Sequence, residues 1–509
     1  MLLLLLSLEH YSAYSRVLLL HMASSLHIPL HVLAEDEVRV AKSLSESVKN
    51  ISGDEVARKQ NEENKSSRKW KVGLATVAGA AVVGITGGLA APLVAAGIGT
   101  VLGGIGMGGT AAAGLLGAMA ESSVVVGTLF GVYGARASAK MVDQYARDIQ
   151  DFAFLPLHGA LRQEYRDGRD VDPEDRRLRV VLGISGWLFQ KEDVVNPWRC
   201  LGHQSEVYAL RWELEALLKM GNSLETVVKS AAWSLAKKEI IARTSKSAVH
   251  RVNAQMRSVP IPNCLLTNYP PIEVFASLFE ALWPISLLKI SKIIDNPWSV
   301  GMVRADKAGA VLADAIINKV QAERGITLIG YSLGARVIYT CLMSLAEKRA
   351  FGLVENVVMM GSPAPSDVRV WCALRSVVAG RLVNVYSEND YILGFLYRTS
   401  SIQYGVAGLQ RVETERVENV DVSDKVSGHL RYQFLVGSIL KHIGWEDVDL
   451  EQVAQDEETL MLLEEKNRER ERKRDAVELD VEAAEIEKEV SEKNDEKNLE
   501  AQMHKPAKN

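Results

Sequence analysis

The stretch that decides the fold runs from Ile326 to Glu347 and reads ITLIGYSLGARVIYTCLMSLAE. It begins with four residues, ITLI, that are typical of a short buried strand. From Ala335 onward the apolar side chains recur at the spacing of one helix face. Between strand and helix lies Gly330-Tyr331-Ser332-Leu333-Gly334, a serine with a glycine two residues away on each side. The sequence therefore predicts a sharp strand-to-helix turn with Ser332 at its apex.

That turn has a known chemical use. A nucleophilic serine can sit on a strained strand-to-helix turn only if the flanking positions are small, because neighbouring backbone passes close by. This context predicts an α/β-hydrolase fold, in which a mostly parallel, doubly wound sheet carries Ser332 as the nucleophile.

Residues 136–445 alternate between strand-like and helix-like segments, which is the pattern of an α/β sheet. Helical spacing is read over Glu206–Met220 and Asp306–Glu323. The predicted strands are Arg179–Ile184, Ile326–Ile329, Val354–Met360 and Arg381–Tyr386. A final helix is predicted to run from Tyr432 through His442.

Chain order supplies the other two members of a triad, because in this fold the acid and then the histidine follow the serine. Asp390 follows a predicted strand and is the candidate acid, with Glu388 as the nearest rival and an ordinary Asn-Asp turn as the alternative. His429 precedes the last helix and is the candidate general base. His442 falls inside that helix, where we expect it on the surface.

An oxyanion hole needs backbone N–H groups near the serine. The N–H of Leu333 follows the nucleophile directly, and Gly186 and Trp187 follow the first clear strand in the right place for the second donor. The His-Gly-Gly-Gly form of many lipases is absent, but backbone donors act irrespective of side chain. We expect neither a metal nor an organic cofactor at this site. Asp306 and the other remaining acids are interpreted as helix caps or surface charge.

Residues 72–134 hold a single charged side chain, Glu121, and are rich in glycine and alanine. So long an uncharged segment exceeds the roughly 20 residues of one membrane span, and small residues let helices pack closely in a bilayer. Basic residues flank it on both sides, which favours an even number of crossings. We expect a transmembrane hairpin; a buried glycine-rich helical pair or a re-entrant segment is the alternative.

The chain is thus divided into four parts: an N-terminal helical region at 1–70, the hairpin at 71–135, the hydrolase domain at 136–445 and a charged tail at 446–509. An insertion at about 221–300 contains an apolar run from Ile272 to Ile294, read either as a lid or as helices packed on the sheet. The tail is read as a weak coiled coil, a solvated helix or a disordered segment that is open to a protein partner.

Composition narrows the function further. The net charge of −5 does not favour nucleic acid as a partner. The four cysteines have no metal-like spacing, which fits a reducing compartment, and all four are expected to be small buried side chains.

The chain resembles the transmembrane and coiled-coil α/β-hydrolase family, over roughly residues 70–445. The matching motifs are Asn196-Pro197-Trp198, residues 206–213 (EVYALRWE), residues 295–299 (DNPWS), residues 304–309 (RADKAG), Gly330–Arg336 and Met360-Gly361-Ser362-Pro363. The resemblance implies a membrane-attached serine hydrolase whose triad falls on Ser332, Asp390 and His429. It does not bring a substrate, and some members of the family act in membrane trafficking.

Two functions remain after the sequence is read. One is an esterase or lipase that acts on a lipid or other hydrophobic ester at a bilayer, with the hydrolase domain facing the cytosol from an endomembrane. The other is a membrane scaffold that keeps the hydrolase fold and recruits partners through its termini.

Overall fold

The computed structural model describes residues 1–6, 11–48, 129–130, 149, 151–157, 175–230, 233, 285–400 and 405–472. The predicted hairpin therefore lies almost wholly outside the described residues, as do positions 231–284 of the predicted insertion, Trp233 excepted, and the tail from residue 473 onward. Among the helices in the described ranges, none combines the length and hydropathy needed to cross a bilayer.

The protein is a mixed α/β structure around a seven-stranded, mostly parallel sheet, as the sequence predicts. The spatial order is β1-β3-β2-β4-β5-β6-β7, and only β1 runs antiparallel to its neighbour. The strands are β1 Ala153–Pro156, β2 Val180–Ile184, β3 Glu206–Arg211, β4 Ile326–Tyr331, β5 Val354–Met360, β6 Leu382–Tyr386 and β7 Val417–Asp421.

Ten α-helices lie in the described residues. They are α1 Leu2–Leu6, α2 Ala13–Ser25, α3 Leu30–Val48, α4 Leu214–Lys229, α5 Ile285–Ile317, α6 Leu333–Glu347, α7 Val368–Ser376, α8 Tyr391–Ser400, α9 Tyr432–His442 and α10 Leu450–Arg472. The longest, α5, packs beside α6, where a Cβ added at Gly309 would lie 2.6 Å from the Val337 carbonyl oxygen. Glycine at this position therefore permits the close approach of the two helices.

The predicted helix over Glu206–Met220 is wrong in its first half. Glu206–Arg211 forms β3, and the helix begins only at Leu214. Residues on both faces of this strand are buried, so the strand does not alternate between buried and exposed residues. Val207 and Leu210 are three residues apart, which is also the spacing of one helix face, and the sequence pattern therefore predicts a helix here.

Two other expectations need correction. The strands Ala153–Pro156 and Val417–Asp421, at the two edges of the sheet, were not predicted. Cys200 and Cys341 are buried as expected, but Cys372 is exposed on α7, and Cys264 lies outside the described residues. Burial raises the pKa of the Cys200 thiol to about 12, so this cysteine behaves as a small apolar side chain.

The sheet order reverses at β2, because the chain goes from β2 to β3 on one side and later returns to β4 on the other. The carboxyl ends of β2 and β4 therefore face a topological switch point, which is where open α/β sheets bind ligands. The segment 185–187 follows β2 and Ser332 follows β4, so both predicted halves of the site meet at this point.

The N-terminal helices attach to the other end of the sheet, where the parallel strands begin. Tyr11 donates its N–H to the Glu323 carbonyl and accepts from the N–H of Gly325, just before β4. The guanidinium of Arg16 pairs with Glu37 on α3 at 2.9 Å and with Glu355 on β5, and all three side chains are buried. Residues before and after the predicted hairpin thus form one packed unit.

Candidate active site

The backbone of Ser332 is held in a strained conformation. Its φ of 53° and ψ of −124° lie outside the regions that L-residues favour. Gly334 must be glycine, since an added Cβ would lie 2.0 Å from the Ile184 carbonyl oxygen. The N–H of Ser332 is bonded to the Met360 carbonyl at 2.9 Å, which ties the turn to the next strand. The predicted strand-turn-helix around Ser332 is thus present.

Three residues far apart in sequence meet at this turn. The Oγ of Ser332 lies 2.6 Å from Nε2 of His429, and Nδ1 of His429 lies 2.5 Å from Oδ2 of Asp390. A carboxylate only accepts, so Nδ1 carries the ring proton and Nε2 is left to accept from the serine hydroxyl. The exposed fractions are 1% for Ser332, 1% for Asp390 and 0% for His429, so the chain of hydrogen bonds is closed to water.

The loops that carry the acid and the histidine are bonded to each other. Ser387 Oγ donates to the Val426 carbonyl at 2.6 Å, and Asn389 Nδ2 donates to the Ser423 carbonyl at 2.8 Å. The second carboxylate oxygen of Asp390 accepts the N–H of Leu393 at 3.1 Å. These bonds fix the carboxylate and set its distance to the imidazole.

The rival residues lie apart from this arrangement. Glu388 is exposed, and partial desolvation of its carboxyl, then the charge of Asp421, raises the pKa of that carboxyl. His442 is exposed on α9, as the sequence predicts. The structure therefore brings Asp390 and His429, rather than Glu388 or His442, to Ser332.

The residues predicted as oxyanion donors lie close to the nucleophile turn. Leu333 is the first residue of α6, so its N–H has no carbonyl one turn earlier to bind, and the helix dipole adds partial positive charge there. A Cβ added at Gly186 would lie 2.7 Å from the nitrogen of Leu333 and 2.3 Å from the Tyr331 carbonyl oxygen. The Gly186-Trp187 backbone is therefore in contact with the turn, and only glycine fits at 186.

The segment from Ser185 to Gln190 is held by hydrogen bonds from both sides. Ser185 Oγ donates to the Asp193 carbonyl at 3.1 Å and accepts from the Trp198 indole at 3.2 Å, while its own carbonyl accepts from the Trp212 indole at 3.2 Å. The Asp193 carboxylate accepts the N–H of Phe189 at 2.9 Å. Both indoles come from motifs, Asn196-Pro197-Trp198 and the one at 206–213, whose function the sequence alone does not reveal.

Aromatic rings that sequence reasoning missed pack around the imidazole. The Trp187 ring lies 5.0 Å from the His429 ring and 4.7 Å from that of Tyr331. Tyr432 meets the His429 ring edge-on at 5.9 Å, and burial, then the charge of Asp390, raises the pKa of its hydroxyl well above the usual value. The only sequence signal was adjacency to motif residues, which says nothing of a ring's direction.

Asp306 lies inside α5 and is therefore not a helix cap; its side chain is 41% exposed, so it is a surface charge, with specific partners. Its carboxylate accepts two bonds from Arg336, at 2.7 and 3.1 Å, and one from Thr340 at 2.8 Å. Arg336 also donates to the Pro363 carbonyl at 3.2 Å. This pair joins α5, α6 and the loop after β5 behind the nucleophile turn. Within the described residues, no cluster of three or more His, Cys, Asp or Glu could hold a metal ion.

Known proteins place the chain in a family. Residues 64–446 match the family described as "Protein of unknown function (DUF726)". An "Uncharacterized membrane protein" of Schizosaccharomyces pombe is 36% identical over 90% of this chain and 74% of its own length. The "Transmembrane and coiled-coil domain-containing protein STS1" of Oryza sativa subsp. japonica is 33% identical over 85% of this chain and 61% of its own.

A third relative carries an enzymatic name. The "Probable lipase MIL1" of Saccharomyces cerevisiae is 31% identical over 88% of this chain, which spans only 39% of that protein. No solved structure matches the chain. This family match covers more than half of the sequence and shows that the chain belongs to the DUF726 family.

Proposed function

We propose that the chain is a membrane-associated serine hydrolase with an α/β-hydrolase fold, which cleaves a lipid or other hydrophobic ester. The observation that carries the proposal is the unbroken line of hydrogen bonds from Ser332 Oγ through His429 to Asp390, at 2.6 and 2.5 Å. The strained serine turn and the mostly parallel sheet support the same fold.

The steps follow from the atoms present. His429 Nε2 removes the proton of Ser332 as Oγ attacks the ester carbonyl, and the Asp390 carboxylate stabilises the imidazolium that forms. The oxyanion of the tetrahedral intermediate accepts from the N–H of Leu333 and from the Gly186-Trp187 backbone. His429 then returns the proton to the leaving alcohol, and water, activated in the same way, releases the acid from Ser332.

Three observations favour a hydrophobic ester at a membrane. Relatives are named membrane proteins, and one is named a lipase. The segment at 72–134, whose single charged residue is Glu121, favours a hairpin anchor, and the apolar run from Ile272 to Ile294 favours contact with acyl chains.

A scaffold that retains the fold without turnover is the second candidate. Its support is α10, a long helix that exposes Met461, Leu462 and Leu463 and is densely charged from Glu464 onward. The pair Arg431–Glu464, at 2.9 Å, joins this helix to the site region. Charged helices of this kind suit a protein partner more than a lipid substrate.

Hydrolysis of nitrophenyl esters by the full-length protein in detergent micelles separates the two candidates. We expect Ser332→Ala to lower kcat by roughly 10⁶-fold, and the addition of His429→Ala to change little more, because triad members act as a unit. Ser362→Ala is the matched control, since Ser362 is equally buried and its hydroxyl binds nothing in the described residues. Equal activity of Ser332→Ala and wild type, or no activity in folded wild type, would leave the scaffold.

A further inference from the structure

We infer that Trp198 and Trp212 are positioning residues for the oxyanion hole. The inference rests on the proposed hydrolase function and assigns a role to two motif residues that do not touch the reacting atoms. Both indole N–H groups converge on one residue, Ser185, which immediately precedes the predicted donors Gly186 and Trp187.

The first step concerns the direction of a peptide plane. Trp212 Nε1 donates to the Ser185 carbonyl at 3.2 Å. In a trans peptide the carbonyl of one residue and the N–H of the next point in opposite directions. The indole bond therefore fixes the direction in which the Gly186 N–H points, and with it the start of the following peptide, which carries the N–H of Trp187.

The second step concerns the position of that peptide relative to Ser332. Trp198 Nε1 donates to Ser185 Oγ at 3.2 Å, and the Trp198 ring packs against Tyr331, with ring centroids 5.8 Å apart. A Cβ added at Gly183 would lie 2.2 Å from Trp198 Cδ2, so the ring lies directly on β2. One side chain thus joins the donor segment to the strand before it and to the residue before the nucleophile.

The position of the donor segment should affect the catalytic rate. An oxyanion donor must already point at the place where negative charge develops, and a misplacement of about 1 Å can cost 10²-fold in rate. Ser185 is buried and receives both indole bonds, so loss of the Trp212 bond lets the Gly186 peptide rotate and loss of the Trp198 bond lets Ser185 shift relative to the nucleophile turn. Loss of an indole N–H should weaken the stabilisation of the transition state and leave binding of the ground-state ester nearly unchanged.

The test uses the full-length protein with Trp198→Phe, Trp212→Phe and the double variant, which keep an aromatic ring and lose the N–H. Trp371→Phe is the matched control, because Trp371 is equally buried and its indole donates to the Pro365 carbonyl at 2.8 Å, away from the donor segment. Active sites are counted by fluorophosphonate titration, so that kcat refers to folded protein alone.

We expect each single variant to lose about 10-fold to 100-fold in kcat with KM within about twofold. The double variant should lose less than the product of the two, because both bonds act on Ser185. The Ki of an alkyl boronic acid, whose adduct with Ser332 places an oxygen in the hole, should rise by the same factor. The pH at half-maximal kcat/KM should not move, since the pair His429–Asp390 is intact.

Trp371→Phe should lower the melting temperature alone. If the Trp198 and Trp212 variants match it, with wild-type kcat and boronate affinity, the indoles only stabilise the fold and the inference is wrong. If wild type itself neither turns over ester nor reacts with fluorophosphonate, the hydrolase proposal fails instead.

Discussion

A single backbone conformation explains why Ser332 differs from other buried serines in the described residues. Its φ of 53° turns Oγ toward His429 and leaves the Leu333 N–H without a partner inside α6. Such strain costs of order 1–3 kcal/mol and persists only when the surroundings enforce it. The enforcement comes from Gly186 and Gly334, which allow β2 to press against the turn.

The acid is tested at the same scale. Asp390→Asn should keep the loop geometry but present an amide to His429 Nδ1, which favours the wrong imidazole tautomer. We expect roughly a 10⁴-fold loss of kcat, the size known from serine proteases. Glu388→Gln, exposed and outside the hydrogen-bond line, should change kcat by less than about twofold. A larger loss in Glu388→Gln than in Asp390→Asn would move the acid to Glu388.

Local composition and chain order were enough to predict which residues meet at the serine turn. The turn could be predicted because glycine spacing reports a steric requirement, and Asp390 and His429 because the order of a triad along the chain is fixed in this fold. Trp187 and Tyr432 could not be predicted beside the imidazole. Their positions depend on how β2 and α9 pack, and no local pattern encodes the direction of a ring.

At the scale of elements, β3 is the strand that the sequence analysis predicts as helix. It also carries a buried charged residue at the end of the sheet where the parallel strands begin. Glu206 begins β3 and is buried, with Arg324 at 2.6 Å and Arg176 at 3.4 Å. Burial alone would raise the pKa of this carboxyl, but the two guanidinium groups lower it to about 2 from 4.5. Polar residues at a strand end give no helical or strand periodicity, which is why this cluster was not foreseen.

Acid should weaken the ion pairs of Glu206 over a defined pH range. Because the folded pKa lies below the unfolded one, the stabilisation by Glu206 is full above about pH 4.5 and is lost as pH falls toward 2. The difference between the folded and unfolded pKa of Glu206 corresponds to about 3 kcal/mol in the free energy of unfolding. Urea unfolding followed by tryptophan fluorescence should show a stability gap between wild type and Glu206→Gln that narrows over this range. Glu225→Gln, an exposed α4 residue, is the control; a gap independent of pH would refute the coupling.

At the scale of the whole molecule, the N-terminal helices restrict membrane topology. Arg16 on α2 pairs with Glu355 on β5, and Tyr11 pairs with the chain just before β4, so both lie on the same side of any bilayer. If residues 72–134 cross a membrane, they must cross it an even number of times. The matching basic flanks favour the same arrangement by an independent rule.

This topology predicts two biochemical results. The protein should resist alkaline carbonate extraction, and deletion of residues 72–134 should release it. Protease added to sealed vesicles should reach both the N-terminal region and the charged tail. Protection of either end would contradict an even number of crossings, and clean extraction by carbonate would favour a buried glycine-rich helical pair instead.

The hydrolase proposal depends on one reaction of one atom, the attack of Ser332 Oγ on an electrophile with His429 as base. The most direct measurement is mass spectrometry of the full-length protein after treatment with a fluorophosphonate. We predict a single phosphonyl adduct on the peptide that contains Ser332, formed quickly in wild type, much more slowly in His429→Ala and not at all in Ser332→Ala. Folded wild-type protein that stays unmodified, or an adduct on another serine, would contradict the proposal.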